Sequence, residues 1–137
     1  MGFAFDTKTL QMITLFEQMT GAKVKDCIIT EGGVTFIVDE GEIAKAIGKG
    51  GKNARELERM AKKKIKIAEF HKDLIQFIQN LIHPLELSEA KLDNEILLLH
   101  AKDLKTRGLL IGRNASNLRF FEAVTKRYFP IKEIKVA

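Results

Sequence analysis

Two short glycine-containing stretches hold the residues of this 137-residue chain that are best suited to bind an anion. The first reads Ile47-Gly48-Lys49-Gly50-Gly51-Lys52-Asn53 and lies where one amphipathic segment ends and the next begins. Glycine permits positive φ and lacks the Cβ that would keep another backbone away. Amides at the start of the following helix carry partial positive charge, and the two lysines add mobile charge. The pattern therefore indicates a phosphate site, although an ordinary tight turn has the same composition.

The same stretch occurs a second time, around Gly112. When Gly48 is aligned with Gly112, residues of the same type or charge coincide along both stretches. The matching pairs are Ile47 with Ile111, Lys49 with Arg113, Asn53 with Asn117, Arg55 with Arg119 and Glu58 with Glu122. This repetition predicts two copies of one supersecondary unit. We place the two domains at residues 1–69 and 70–137.

The elements that position the first stretch follow from periodicity and turn residues. Asp6 is a suitable N-cap for a helix that ends before Gly21, and Glu31-Gly32-Gly33 is typical of a hairpin turn. The predicted elements are a helix over 6–20, strands over 23–30 and 34–39, helices over 43–47 and 52–63, and a strand over 64–68. We expect Leu10, Leu57, Met60 and either Phe16 or Leu15 to face the core.

The second half repeats this order. Its turn residues are Asp93-Asn94 between two strands and Pro130 after the long helix. The predicted elements are a helix over 71–82, strands over 85–92 and 95–101, helices over 103–111 and 116–129, and a strand over 131–136. No linker rich in Ser, Gly or Pro separates the halves, so we predict an α+β fold in which the two units pack as one rigid body.

Charge is concentrated in one segment of the chain. The net charge is +5, but residues 45–66 contain nine Lys or Arg residues and only two glutamates. Such a run favours a polyanionic partner, and a solvated helix surface has the same pattern. Asp39, Glu40 and Glu42 precede the first short helix, where we expect them to stabilise its positive end.

Several other kinds of site are excluded by spacing. Gly50 stands where a nucleotide hydrolase has Ser or Thr, and no third glycine completes a dinucleotide motif. His71, His83 and His100 lack metal-ligand spacing. Cys27 is the only cysteine, which excludes an internal disulfide, and its apolar neighbours predict burial. We expect no enzyme activity, metal, cofactor or small-molecule substrate.

Composition also limits the cellular setting and the core. The chain has no Trp and one Tyr, so we expect mainly aliphatic cores, with Phe120, Phe121 and Phe129 as core residues rather than base-stacking ones. No apolar segment reaches the length of a membrane span, and the first residues do not contain a basic segment followed by a long apolar run. We expect a cytoplasmic protein without a membrane partner.

Two small helices joined by a Gly-X-X-Gly turn and backed by a sheet make up the KH module, in which this loop clamps backbone nucleotides. The order helix, strand, strand, helix, helix, strand resembles a type II KH domain. The linker-free pair resembles the two KH domains of the NusA transcription factor family, and particularly its short archaeal members. Residues 47–55 and 111–119 carry the most specific part of the resemblance. It does not extend to the polymerase-binding region or the S1 barrel of bacterial NusA.

The resemblance implies a single-stranded RNA-binding protein that acts in transcription termination, antitermination or elongation. RNA polymerase or other transcription machinery would be a further partner. The implied RNA-binding residues are Ile47, Gly48, Lys49, Gly50, Gly51, Lys52, Asn53, Arg55, Gly112, Arg113, Asn114, Ala115, Asn117 and Arg119. Ala115 replaces the last glycine of the motif, and its Cβ predicts a looser hold on RNA. An alternative is a KH module for protein assembly in ribosome or ribonucleoprotein maturation.

Overall fold

The computed structural model describes residues 6–137, which divide into two compact units between His71 and Lys72. Each unit has the predicted order of helix, strand, strand, helix, helix and strand. Each contains one three-stranded sheet, so the predicted α+β class is confirmed. Both hairpins also have a register shift at the same place, between Val24 and Asp26 and between Leu87 and Glu89. Among the described residues, no helix is both long and apolar enough to cross a membrane.

The first unit follows the predicted element boundaries closely. Its central strand is β2, antiparallel to β1 and parallel to β3. The elements are α1 (Thr7–Thr20), β1 (Val24–Thr30), β2 (Gly33–Val38), α2 (Ile43–Ile47), α3 (Lys52–Ala61) and β3 (Ile65–Glu69). Asp6 caps α1 by accepting the amide of Thr9 at 2.7 Å, and left-handed Gly21 ends the helix. The long helix ends at Ala61 because Lys62 is left-handed, with φ 55°.

The core of the first unit lies between its helices and one face of the sheet. Phe16 of α1 stacks on Phe36 of β2 with ring centroids 4.1 Å apart, and Leu57 of α3 is fully buried beside them. Buried Cys27 joins this core, as predicted. The expected inward positions of Leu10 and Met60 are wrong, because their side chains are 50% and 47% exposed. These residues lie at the edges of the apolar stripes, where helical spacing alone does not fix the facing side.

The second unit has the same sheet order, with β5 between β4 and β6. Its elements are α4 (Leu74–Ile82), β4 (Leu87–Asp93), β5 (Ile96–Ala101), α5 (Leu104–Ile111), α6 (Ser116–Lys126) and β6 (Glu133–Val136). The first helix begins later than predicted because the Asp73 side chain accepts the amide of Gln76 and caps it there. The long helix ends early because Arg127 and Tyr128 form tighter turns before Pro130.

A small group of aromatic rings lies in the second unit. The ring of Phe77, which is fully buried, lies 5.4 Å from that of Phe129 and 6.0 Å from that of Tyr128. Phe121 is also buried, as expected, whereas Phe120 and Phe129 are half-buried. The expectation of mainly aliphatic cores is confirmed, because Phe16, Phe36, Phe77 and Phe121 are the only aromatic residues among the buried hydrophobic ones of the described chain.

Candidate nucleic-acid interface

The two loops between the paired helices have the same backbone conformation. We call residues 48–51 the first loop and residues 112–115 the second loop. At the first position, φ and ψ are 76° and 168° for Gly48 and 74° and 175° for Gly112. At the third position, they are 62° and 23° for Gly50 and 55° and 32° for Asn114. At the fourth position, they are 77° and 15° for Gly51 and 60° and 24° for Ala115. Replacement of two glycines by Asn and Ala in the second loop has thus not changed its shape.

The first position of each loop has room for glycine alone. A Cβ on Gly48 would lie 2.8 Å from Nδ2 of Asn53, and a Cβ on Gly112 would lie 2.7 Å from Cγ of Asn117. The combination of positive φ with ψ near 170° is also a region that only glycine occupies readily. Both features explain why glycine occupies this position in each loop.

The later loop positions are more permissive. A Cβ on Gly50 would meet nothing within 4 Å, and a Cβ on Gly51 would meet only the end of the Arg55 side chain. The second loop accordingly carries side chains at the equivalent positions, Asn114 and Ala115, both at positive φ. The backbone at Ala115 has the same conformation as at Gly51, so Ala115 does not distort the loop. The weaker RNA binding expected from its Cβ stays a prediction.

Hydrogen bonds within each loop point some of its amides inward. The amide of Gly51 donates to the carbonyl of Gly48 at 3.1 Å, and the amide of Lys52 donates to the carbonyl of Lys49. Gly50 and Gly51 both have positive φ, and Lys49 before them does not. In a turn with such a change of φ, successive amides face a common point and form a concave site for an anion. Arg113 and Asn114 repeat this change in the second loop.

Three of the predicted binding side chains bond to the protein itself. Asn53 donates through Nδ2 to the carbonyl of Lys45 at 2.9 Å, and Asn117 donates to the carbonyl of Leu109 at 2.8 Å. Arg55 donates through Nη1 to the carbonyl of Gly50 at 2.5 Å. These polar side chains therefore support the loops. Their shared position in the two sequence repeats is the signal that could have indicated a structural role.

Exposed cations surround both loops. Lys49 and Lys52 are exposed at the first loop, as are Arg113 and Arg119 at the second, and Ile47 beside the first loop is 38% exposed. Two other cations of the 45–66 run form ion pairs: Lys45 pairs with Glu42 at 3.3 Å, and Arg59 pairs with Glu56. Lys62 and Lys64 at the far end of α3 are also exposed. The positive charge of this segment therefore extends from the first loop along α3.

The Glu42 side chain connects two elements of the first unit. Glu42 precedes α2, but its side chain makes no capping hydrogen bond to that helix. Its Oε1 instead accepts the amide of Lys23 at 2.9 Å, which ties the start of α2 to the residue before β1. This hydrogen bond, followed by that from Lys45, holds the pKa of Glu42 below its usual range. Within residues 6–137, no three His, Cys, Asp or Glu side chains are grouped to hold a metal ion.

Comparison with known proteins gives a family. A family model for the KH domain matches residues 11–83, more than half of the chain. A Methanococcus vannielii protein named probable transcription termination protein NusA is 34% identical over 139 residues, which cover 99% of this chain and 80% of that protein. A protein of the same name from Methanocaldococcus jannaschii is 31% identical, over 95% of this chain and 73% of its own length.

A solved structure gives the same fold. The crystal structure of APE1850 matches with a TM-score of 0.74 and 24% identity, over 97% of this chain and 100% of that one. KH domains bind nucleic acid and are not an enzyme family. The chain therefore belongs to the KH-domain family of RNA-binding proteins, and within it to the NusA-like proteins represented by these archaeal relatives.

Proposed function

We propose that the chain is a NusA-like transcription factor that binds single-stranded RNA through both loops and acts in termination or antitermination. The observation that carries the proposal is that two loops of different sequence have one backbone conformation, each with a cation, Lys49 or Arg113, at its second position. The proposal includes two tandem type II KH domains, residues 1–69 and 70–137, packed as one rigid unit. One RNA strand would then contact both domains, and the second contact would gain from high effective concentration.

The proposed contact begins with the phosphates. In the proposed contact, a phosphate lies against the amides of Lys49 and Gly50, and the Lys49 ammonium group adds charge beside them. Phosphate contacts position the strand, and unpaired bases then present their Watson–Crick edges to neighbouring groups. Half-exposed Ile47 offers an apolar contact for a base at the rim of this loop. The second loop repeats the arrangement with Arg113.

The transcriptional role rests on the relatives. Two proteins that match nearly the whole of this chain are named probable transcription termination protein NusA. We therefore propose RNA polymerase, or another part of the transcription machinery, as the second partner in a cytoplasmic complex. The KH family supports RNA as the first partner.

Binding is tested by reversing charge at the first loop. The double variant K49D/G50D places two carboxylates at the proposed phosphate site, and Gly50 has open space for a side chain. The matched control K8D/G32D makes the same change in net charge on exposed Lys8 and on Gly32 in the hairpin turn. Fluorescence anisotropy with an unstructured RNA at low salt should show at least about tenfold weaker binding for K49D/G50D and little change for the control.

A second arm measures salt dependence. In wild type, the affinity should fall steeply with added salt, and K49A should reduce the slope of log K against log salt by about 0.7, the value for one phosphate contact on a single strand. Unchanged affinity of K49D/G50D, with far-UV circular dichroism like that of wild type, would contradict the proposal.

The assembly alternative predicts a different result. Pull-down with the tagged chain from cell extract, with and without ribonuclease, separates the two functions. RNA-mediated partners should be lost after ribonuclease and lost with K49D/G50D. A ribosomal or maturation partner that survives both treatments would favour the assembly module.

A further inference from the structure

The asparagine side chains beside the two loops connect the end of one helix to the start of the next. The last carbonyls of a helix have no partner within it. In the first unit, the amide of Gly48 donates a hydrogen bond to the carbonyl of Ala44. Asn53, the second residue of α3, donates through its side-chain Nδ2 to the carbonyl of Lys45. The second unit repeats both bonds. There Gly112 donates to Gly108 at 2.8 Å and Asn117, the second residue of α6, donates to Leu109 at 2.8 Å.

The same side chains also cover the first glycine of each loop. The position that a Cβ would take on Gly48 lies 2.8 Å from Nδ2 and 2.9 Å from Cγ of Asn53. The equivalent distances from Gly112 to Asn117 are 2.8 Å and 2.7 Å. Each carboxamide thus packs directly on the glycine backbone while it holds the preceding helix. It fixes three points at once: the end of one helix, the first loop residue and the start of the next helix.

We propose that Asn53 and Asn117 are positioning residues, which hold the loops in their anion-binding conformation before RNA arrives, and not RNA contacts. The proposal rests on the proposed function for its effect on RNA, but its effect on the loop does not need RNA. Their donor groups are directed at the protein's own carbonyls, so the side chains act through the loop backbone. A binding site that is ordered in advance avoids the cost of ordering it during binding.

Loss of this support should lower the fraction of loops that are ready to bind. Apparent affinity falls in proportion to that fraction. A single exposed hydrogen bond with its packing shifts a local equilibrium by a modest factor, so N53A should weaken RNA binding about five- to tenfold. Because no charge is removed, the slope of log K against log salt should not change.

The experiment compares N53A with K52A, which changes the neighbouring residue in the same helical turn. The Lys52 side chain is exposed. The hydrogen bond described between Lys52 and the loop runs from its backbone amide to the carbonyl of Lys49. Two measurements are made on each protein: hydrogen exchange of the Gly51 amide, which is bonded to the Gly48 carbonyl, without RNA, and RNA affinity at several salt concentrations. N53A should exchange faster, by about threefold or more, and bind RNA more weakly with an unchanged slope. K52A should exchange like wild type, and its slope of log K against log salt should be smaller by about 0.7.

Each other outcome is decisive. Unchanged exchange in N53A overturns the positioning role, whether or not RNA binding weakens, since a weakened affinity alone indicates a direct contact. Faster exchange with unchanged affinity separates the loop conformation from RNA binding and also overturns it. If wild type does not bind RNA, the proposed function fails, while exchange still tests the support of the loop. N117A repeats the comparison in the second unit at the Ala115 amide, which is bonded to the Gly112 carbonyl.

Discussion

The carboxylate of Glu122 accepts a hydrogen bond from the backbone amide of Ile134 at 2.9 Å, which joins α6 to β6 in the second unit. Glu58 makes the equivalent bond to Ile65 at 3.1 Å and joins α3 to β3. In each unit the strand residue concerned pairs with the central strand of the sheet. The repeated glutamate therefore fixes the long helix that follows the loop to the sheet behind it.

Replacing Glu122 tests this connection. E122A leaves the Ile134 amide without its charged acceptor in a half-buried place, so the free energy of unfolding should fall by about 1.5 kcal/mol or more. E122Q keeps a neutral acceptor of the same shape and should lose less. Urea denaturation measures both variants. The control is E133A, which changes an exposed residue of the same strand and should lose at most about 0.5 kcal/mol. A loss for E122A no larger than the loss for E133A would contradict the role.

The first glycine of each loop should be far less tolerant than the second. G48A adds a Cβ that contacts Asn53 below 3.0 Å in a backbone region suited to glycine alone, and it should lower the free energy of unfolding by about 3 kcal/mol. G50A places its Cβ in open space at a left-handed position and should cost about 1 kcal/mol. Thermal and urea unfolding measure the difference. Equal losses for the two variants would show that the asparagine leaves room for a side chain at Gly48.

Ala115 offers a stabilising substitution. Ala115 has φ 60°, a conformation that costs a residue with a Cβ about 1–2 kcal/mol. Glycine at this position would avoid that cost, but the larger conformational entropy of its unfolded state would lower the stability by about 0.4–1 kcal/mol. A115G should therefore stabilise the protein by about 0.5–1 kcal/mol. G51A is the reverse change at the equivalent position and should destabilise by a similar amount, since its Cβ meets only a flexible arginine end. Changes of the same sign in both variants would be inconsistent with this account.

Acid should weaken the connection made by Glu42. The hydrogen bond from the Lys23 amide, and then the one from Lys45, hold the pKa of this carboxyl below its ordinary value of 4.5. A depressed folded-state pKa adds stability that is present above the unfolded value and is lost as pH falls through the folded value. The melting temperature of wild type should therefore decline below about pH 4.5, and E42Q should decline less over that range. Parallel curves for the two proteins would exclude a contribution from Glu42.

Much of the fold is readable in the sequence because both halves repeat the same signals. The first hairpin turn, the cap at Asp6 and the short helices before each loop lie where the residue pattern predicts them. The second hairpin turn lies one residue later than predicted, at Asn94 and Glu95, both with positive φ. The ends of longer helices were less predictable, because local hydrogen bonds decide them. Asp73 starts α4 later than its apolar pattern suggests.

The site was less predictable than the fold. Alignment of the repeats drew attention to Asn53, Arg55 and Glu58, but residue type alone does not tell whether a polar side chain bonds to a ligand or to its own backbone. The structure directs all three to the protein. Lys49 and Arg113 remain the exposed cations at the loop tips, where charge in the sequence indicated them.

The shared dihedral angles of the two loops also bear on how such loops are found in other chains. Strict glycine is required at the first position, while Asn114 and Ala115 reproduce the remaining geometry with ordinary side chains. A search pattern that insists on a closing glycine would miss the second copy here. A pattern built from an initial glycine, a cation, and an asparagine in the opening turn of the next helix would recover both.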